Sequence, residues 1–411
     1  MPRPPLPYKE ALAWLYGLQR FGIKLGLENI RRLIAELHID LRGSRVIHVA
    51  GTNGKGSVCA MIDSILREHG RRTGLFTSPH LVTFRERISV NGEMISQDAV
   101  ANGLTAIRGL VADWNPHPTF FEIITALALK YFSEEKIDIV VLETGMGGRL
   151  DATNAVQSDV SVITSIDFDH EKWLGRSLRE IATEKAGIMK PKVPVICAPQ
   201  RPEAEEMIRG RAAECEAPIE FVTASYDKTL IALAGSYQKQ NAALAIAALR
   251  VANIDINDSS IARGLASVDW PARFQHWNDR IVIDGAHNPA AAYVLAQTWR
   301  ETFGDQRAML ILAIFSDKDL RGICEALAPI SDYVFLPKIR SERAAPPDEL
   351  AKVLSTITSS LPYSITESIG EALAFARSKP NPILITGSLH FAGEVLAHLR
   401  GEPAAFEECA Q

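Results

Sequence analysis

Short apolar runs alternate along this chain with longer stretches in which apolar residues recur every three or four positions. The runs at 45–50, 73–77, 137–143, 159–166 and 193–198 read as buried strands. Helical periods lie between most of them, including 56–69 and 120–133. Such alternation predicts a parallel sheet covered by helices on both faces. Ahead of it, "YKEALAWLYGLQRFGIKLGLENIRRLIAEL" has helical spacing broken at Phe21-Gly22, which predicts two helices joined by a loop. An Ala-rich helix is expected over 238–252. The pattern then breaks near "SVDWPARFQHW" and restarts. The new order is strand "RIVIDG", helix 289–303, strand "AMLILAIF", a helix, strand "YVFLPK", helices 347–360 and 370–378, strand "PILITG" and helix 390–399. The expectation is an α/β protein of two units, 1–269 and 270–411, the second of about 140 residues.

Composition removes several functions. Net charge is −5 over 411 residues, so nothing draws the chain to nucleic acid or to an anionic membrane. No apolar run approaches the roughly 18–20 residues that span a bilayer. The opening "MPRPPLPYKE" has no apolar export segment, so a cytoplasmic protein is expected. The five cysteines (59, 197, 215, 324, 409) are dispersed and form no CxxC, which predicts reduced thiols and no zinc site.

Chemistry enters at "VIHVAGTNGKGSVCAMI", residues 46–62. A buried strand runs into a glycine-rich turn and then a helix, the context of a phosphate loop. Glycines let backbone N–H groups converge on an anion, and the helix N-terminus adds partial positive charge. Lys55 supplies a point charge and Ser57 a hydroxyl. Gly56 stands between them, where the common pattern has the two adjacent.

A nucleotide site needs a hard cation with oxygen ligands. "IDIVVLETGMGGRLDATN" places Glu143 at the C-terminal end of a strand, where open α/β sheets bind ligands. "VSVITSIDFDHEKWLG" ends another strand with Asp167, Asp169 and His170, any of which is a candidate for the same metal. Read alone, Arg85 and Arg87 belong to a solvated face, His48 is a hydrogen-bonded core residue, and Trp114, Trp277 and Trp299 are packing residues.

Taken in order, "RFGIKLGLENI", "HVAGTNGKGS", "TSPHLVTFRERISVNG", "FFEIITALAL", "ETGMGGRLDATN", "DHEKWLG", "EKAGI", "WPARFQ", "DGAHNP", "SDKD" and "TGSLH" make the chain resemble the folylpolyglutamate synthases. The likeness is to the form with dihydrofolate synthase activity as well, within the Mur ligase superfamily of ATP-dependent amide-bond-forming enzymes. It runs from about Tyr8 to about Glu394, and the family's own loop carries a glycine where Gly56 stands. The resemblance implies a P-loop ATPase-type parallel-sheet domain with a pterin site, followed by a Rossmann-like glutamate-ligase domain. It implies that Gly51, Thr52, Asn53, Gly54, Lys55, Gly56 and Ser57 bind ATP, with Gly54 to Ser57 on the phosphates. Asn241, Arg273, Asp284 and His287 would complete the nucleotide site, with Asp284 on the ribose. Ser78, Glu143 and His170 match magnesium ligands, and two magnesium sites are implied, with room for a monovalent cation. Lys185 matches a lysine that is carbamylated in the superfamily. Lys55, Lys185 and His170 are thus the implied catalytic residues. Lys24, Leu25, Pro79, His80, Arg85, Phe121, Glu122, Leu150, Asp151 and Ala152 match the dihydropteroate pocket. "TGSLH" would face the incoming amino acid. The sequence departs from the family at Tyr237, where many members have His, and at Ala313 and Ser316.

The implied reaction adds L-glutamate to dihydropteroate and to reduced folates, by a monomer. Two rivals differ in sequence. A cell-wall amino-acid ligase would share the loop, Glu143 and Lys185 but carry a UDP-sugar domain, and only about 45 residues precede the loop here. A GTPase would need Asn-Lys-x-Asp after a strand, and the sequence has none. Activity toward reduced folates alone is the third alternative.

Overall fold

The structure is a computed structural model that describes residues 5–21, 26–358 and 360–402. Two sheets carry the fold. The first holds β1 (Arg45–Ala50), β2 (Thr73–Phe76), β3 (Ile88–Val90), β4 (Glu93–Met94), β5 (Ile139–Glu143), β6 (Val160–Ile163), β7 (Val195–Cys197) and β8 (Ile219–Phe221), in the order β4-β3-β2-β5-β1-β6-β7-β8. Six of these strands are parallel. β3 and β4 run antiparallel, which corrects the expectation of a purely parallel sheet. The reason is local: Asn91 and Gly92 both take positive φ, +52° and +80°, and turn the chain in a two-residue hairpin. Register fixes the future site. Val49 of β1 lies opposite Glu143 of β5, so the carboxylate ending β5 comes level with the loop leaving β1.

Each face of this sheet is buried by helices. On one side Tyr8–Tyr16, Glu28–Glu36, Gln97–Leu110 and Phe120–Glu134 enclose Leu15, Ile30, Leu104, Ile123 and Phe132. On the other, Lys55–Glu68, Tyr237–Val251 and Asp258–Ser267 enclose Val58, Met61, Ile65, Ala245 and Leu265. Burying such side chains fully contributes about 1.5–3 kcal/mol each before entropy is counted.

The second sheet holds β9 (Gln275–His276), β10 (Ile281–Ile283), β11 (Ala308–Leu312), β12 (Ser331–Pro337), β13 (Tyr363–Thr366) and β14 (Ile383–Thr386), in the order β13-β12-β11-β14-β10-β9. Only β9 is antiparallel. The chain reverses its direction of growth between β11 and β14, so a crevice opens beyond their C-terminal ends. The helix expected at 347–360 ends at Ile357, where Thr358 turns extended. Trp299 is fully buried, as expected of a packing residue, and its Nε1 donates to the Gln306 carbonyl at 2.7 Å. Among the described residues no helix is long and apolar enough to cross a membrane, and the four described cysteines are free and buried.

A segment of the first unit reaches into the second. Residues 78–87 leave β2, and Val82 sits in the second unit's core with Phe391, Ala392 and Val395. Glu86 shapes this segment by accepting the amides of Leu81, Val82 and Thr83 at 2.7–3.0 Å. Gly393 permits the contact, since a Cβ there would lie 1.9 Å from the Leu81 carbonyl oxygen. Gly393→Ala should therefore lower the unfolding free energy by about 1–3 kcal/mol. Gly370→Ala, where the nearest atom is 3.5 Å away, should change it by less than about 0.5 kcal/mol. Chemical denaturation of both variants checks this, and equal stabilities would remove the contact from the account.

Candidate active site

The loop leaving β1 has its shape from two close approaches. Gly54 takes φ +89° ahead of the Lys55–Glu68 helix, and a Cβ there would meet Asn241 Oδ1 at 2.8 Å. Gly56 has no room for a side chain at all: a Cβ would lie 2.7 Å from the Trp270 indole nitrogen. The glycine that parts Lys55 from Ser57 thus lets the tryptophan of "WPARF" rest on the loop. Thr52 anchors the other side, its hydroxyl donating to the Asp167 carbonyl at 3.0 Å and accepting the Asp167 amide at 3.1 Å.

Two lysines converge on one carbonyl of this loop. Lys55 Nζ donates to Gly51 O at 3.1 Å and to Thr52 O at 3.2 Å. Lys185, from the helix Leu178–Ala186, donates to the same Gly51 O at 2.8 Å. Lys185 is buried, and burial first and Lys55 second lower its pKa to about 7.

Glu143, Ser78 and His170 line the same cavity. Glu143 Oε2 accepts the Ser78 amide at 3.1 Å. Burial pushes the Glu143 carboxyl up, with Lys55 pulling the other way. The Ser78 hydroxyl is buried with no hydrogen-bond partner among the described residues. His170 begins a short helix in a left-handed conformation, φ +53°, and desolvation lowers its pKa to about 4. Among the described residues no three His, Cys, Asp or Glu side chains form a metal cluster, and this set has one carboxylate, one imidazole and one hydroxyl.

The second unit supplies the facing wall. Asp284, after β10, is buried and accepts the amides of Phe274 at 2.7 Å and Ala286 at 2.8 Å. Burial raises its pKa, with Arg273 opposing. Asn241 donates to Gln238 at 2.8 Å. The Nδ1 of His287 faces the Gly285 carbonyl at 2.8 Å, and its Nε2 lies 3.4 Å from Asp169. Asp169 also receives Lys318 at 2.6 Å and Asn288 at 3.4 Å. Burial opposes its charge, but the His287 hydrogen bond and the electrostatic pull of His287, His170 and Lys318 hold its carboxyl far below the usual range. Of the two aspartates considered for the metal, Asp169 is thus committed to the second unit and Asp167 to Arg201 at 3.2 Å. The whole cavity holds about 450 Å³.

The residues matched to a pterin pocket divide. Pro79 and His80 line this cavity. Phe121 lies beside it, its ring against Gly145 of the cavity wall. Asp151 directs its carboxylate to its own loop, accepting from Gly145, Met146 and Thr153. Glu122 accepts from Thr119 at the start of its helix, and Arg85 from the side donates to the Ile95 carbonyl. Ala152 is buried and Leu150 half-buried. Lys24 and Leu25 lie outside the described residues. Arg87 is fully buried and donates to His80 at 2.9 Å, which corrects its reading as a solvated residue. His48 is a core residue as expected, its Nε2 2.8 Å from the Thr153 hydroxyl. Sequence reasoning did not single out Lys318, Asn288 or Arg343. "SDKD" and "DGAHNP" were visible as motifs, but the pairing of Lys318 with Asp169, 149 residues away, was not.

Comparison with known proteins agrees with this architecture. The Mur ligase middle domain matches residues 49–229, and the Mur ligase glutamate ligase domain matches 272–389. The Bacillus subtilis dihydrofolate synthase/folylpolyglutamate synthase is 36% identical over 96% of this chain and 99% of its own. Escherichia coli FolC in complex with DHPP and ADP superposes with TM-score 0.87 at 31% identity, over 97% and 99% of the two chains. The Yersinia pestis bifunctional enzyme with AMPPNP and a manganese ion gives TM-score 0.87 at 29% identity, over 97% and 100%. Use of ATP with a divalent metal is typical of this family. The chain belongs to the dihydrofolate synthase/folylpolyglutamate synthase family of the Mur ligases.

Proposed function

We propose that this protein is an ATP-dependent ligase that joins L-glutamate to dihydropteroate, forming dihydrofolate, and to reduced folates, forming folylpolyglutamates. One observation carries the reading: the phosphate loop of the first unit and the loops after β10, β11 and β14 of the second line a single cavity. The division at 269/270 and a cytoplasmic, monomeric state belong to the same proposal.

The chemistry starts with a free carboxylate, whose oxygen attacks the terminal phosphorus of ATP. The bond to ADP breaks and an acyl phosphate forms. The glutamate amine then attacks the acyl carbon, loses a proton, and phosphate leaves. Two anions meet in the first step, so positive charge must be fixed in place beforehand. Lys55 and the amides of residues 51–57 supply it. Asp284 is suited to the ribose hydroxyls. The facing units exclude water, which would otherwise hydrolyse the acyl phosphate.

The residues fit a divalent cation. The Ser78 hydroxyl is buried without a partner among the described residues, Glu143 is a buried carboxylate beside it, and His170 is held in the neutral form that ligates. These three would hold magnesium, which when bound would neutralise phosphoryl oxygens. A second ion would lie near Lys185. With its pKa at about 7, Lys185 has enough neutral amine to add carbon dioxide, forming an N–C bond and releasing a proton. The product is a carboxylate in place of an ammonium.

Purified protein with ATP, magnesium and glutamate should release ADP only when dihydropteroate or tetrahydrofolate is also present. Glutamate-independent release, or none with either acceptor, would overturn the proposal. Lys55→Ala should cost about 100- to 1000-fold in turnover with the fold intact. Near-normal turnover would remove Lys55 from phosphoryl transfer.

Glu143→Ala should raise the magnesium concentration for half-maximal rate at least about tenfold. An unchanged magnesium requirement would assign the metal to other residues.

Lys185→Ala should lose activity and regain part of it with a short carboxylic acid. Protonation removes the neutral amine, so the wild-type rate should fall as pH drops below about 7 and recover with added bicarbonate. Carbon-13 bicarbonate labelling followed by NMR reads the adduct directly. An unmodified Lys185 in a fully active enzyme would sink the idea.

A further inference from the structure

The cavity wall formed by the second unit carries several basic side chains, and most are already committed. Lys318 is buried on Asp169 at 2.6 Å, and His287 faces the same carboxylate at 3.4 Å. Arg273 donates to the Ala272 carbonyl and acts on buried Asp284. Arg343 differs. It lies in the loop after β12, which is held to the loop after β11 by a bridge between Phe315 and Ala344 and by the Ser316 amide on the Arg343 carbonyl at 2.9 Å. Its guanidinium carbon stands 4.5 Å from the centroid of the Phe315 ring, which is buried. Its carboxylate partner, Asp317, is 3.3 Å away and half exposed. An ion pair of that kind contributes about 0–1 kcal/mol, so a ligand carboxylate can replace it at small cost. Phe315, Lys318 and Arg343 all line the shared cavity, beyond the C-terminal ends of β11 and β12.

We propose that Arg343 is a specificity residue that pairs with one of the two carboxylates of the incoming glutamate, with the Phe315 ring fixing the plane of its guanidinium. The inference rests on the ligase reading given above and deepens it. A guanidinium presents two parallel N–H donors to a carboxylate, which an amide cannot match. The aromatic face holds that fork in one orientation before the ligand arrives.

The test begins with wild-type protein, ATP, magnesium and dihydropteroate, titrated with glutamate. Glutamate-dependent ADP release in that arm secures the ligase reading independently. Arg343→Ala should then raise KM for glutamate about 10- to 100-fold while KM for ATP and the melting temperature stay within twofold and a few degrees of wild type. Arg343→Lys, which keeps the charge and loses the fork, should fall between. Glutamine and isoglutamine, each lacking one carboxylate, complete the set. The wild-type penalty for the amide at the paired carboxylate should collapse in Arg343→Ala, and the penalty for the other amide should persist. An active wild type whose glutamate KM is unmoved by Arg343→Ala overturns the proposal. So does a rise in KM that leaves both amide penalties intact.

Discussion

The buried carboxylate of Asp169 is the contact on which the arrangement of the two units depends. It leaves the first sheet after β6 and takes Lys318, His287 and Asn288 from the second unit. A carboxylate 7% exposed would be costly alone. Removing one partner of such a buried pair typically costs about 3–5 kcal/mol, a large part of a domain's stability of about 5–15 kcal/mol. The same contact reaches the phosphate loop. Asn288 donates to Asn53 Oδ1 at 3.0 Å, so the loop and the segment after β10 share one hydrogen-bonded group. The facing of Asp284 and His287 toward the loop follows from this. It does not follow from the packing of either sheet by itself.

The second constraint is space around the loop. Trp270 lies at the join between the two α/β units and rests against Gly56, while Asn241 closes on Gly54. Both contacts come from residues nearly 190 positions or more downstream. The loop is therefore shaped by two separate downstream parts of the chain. Any side chain at Gly56 would push Trp270 off the loop, and with it the segment leading into β9.

Much of the fold was legible in the sequence, because buried parallel strands announce themselves as apolar runs and helices as 3.6-residue periods. The strands that escaped notice are short or at edges: β4, β8, β9 and β13 are partly or largely exposed, so their composition carries little apolar signal, and β3 is buried but only three residues long. The reversal at Asn91-Gly92 was a visible hairpin signature inside a motif read only for its chemistry. The candidate residues on the loop and at strand ends line one cavity, because motif and position agree there. Arg87 was misread because a charged residue is ordinarily exposed, and its burial depends on His80 and on the Phe120 ring, 5.6 Å from its guanidinium. Lys318 and Arg343 were passed over for a related reason. Each lies on a loop whose partner is set by tertiary contacts, and local sequence does not carry that information.

Hydrogen-bond occupancy separates the carboxylates that build this site from those left for ligands. Asp151 accepts four donors and Glu86 three backbone amides, so their lone pairs are largely filled by the protein. Glu122 is engaged with Thr119 through the same oxygen twice. Those three shape the loops after β5 and β2 and the start of the Phe120–Glu134 helix. Glu143 is as buried as Asp151 and Glu122 but accepts one amide among the described residues, next to a serine hydroxyl that has no partner there. Buried polar groups left short of partners are costly, and a fold keeps them only where something else completes them. The family's motifs offered Glu143 for the metal and Asp151 and Glu122 for the dihydropteroate pocket. Counting donors at each oxygen distinguishes them, and it assigns to Glu143 and Ser78 the one place in this group where a cation would satisfy what the protein leaves open.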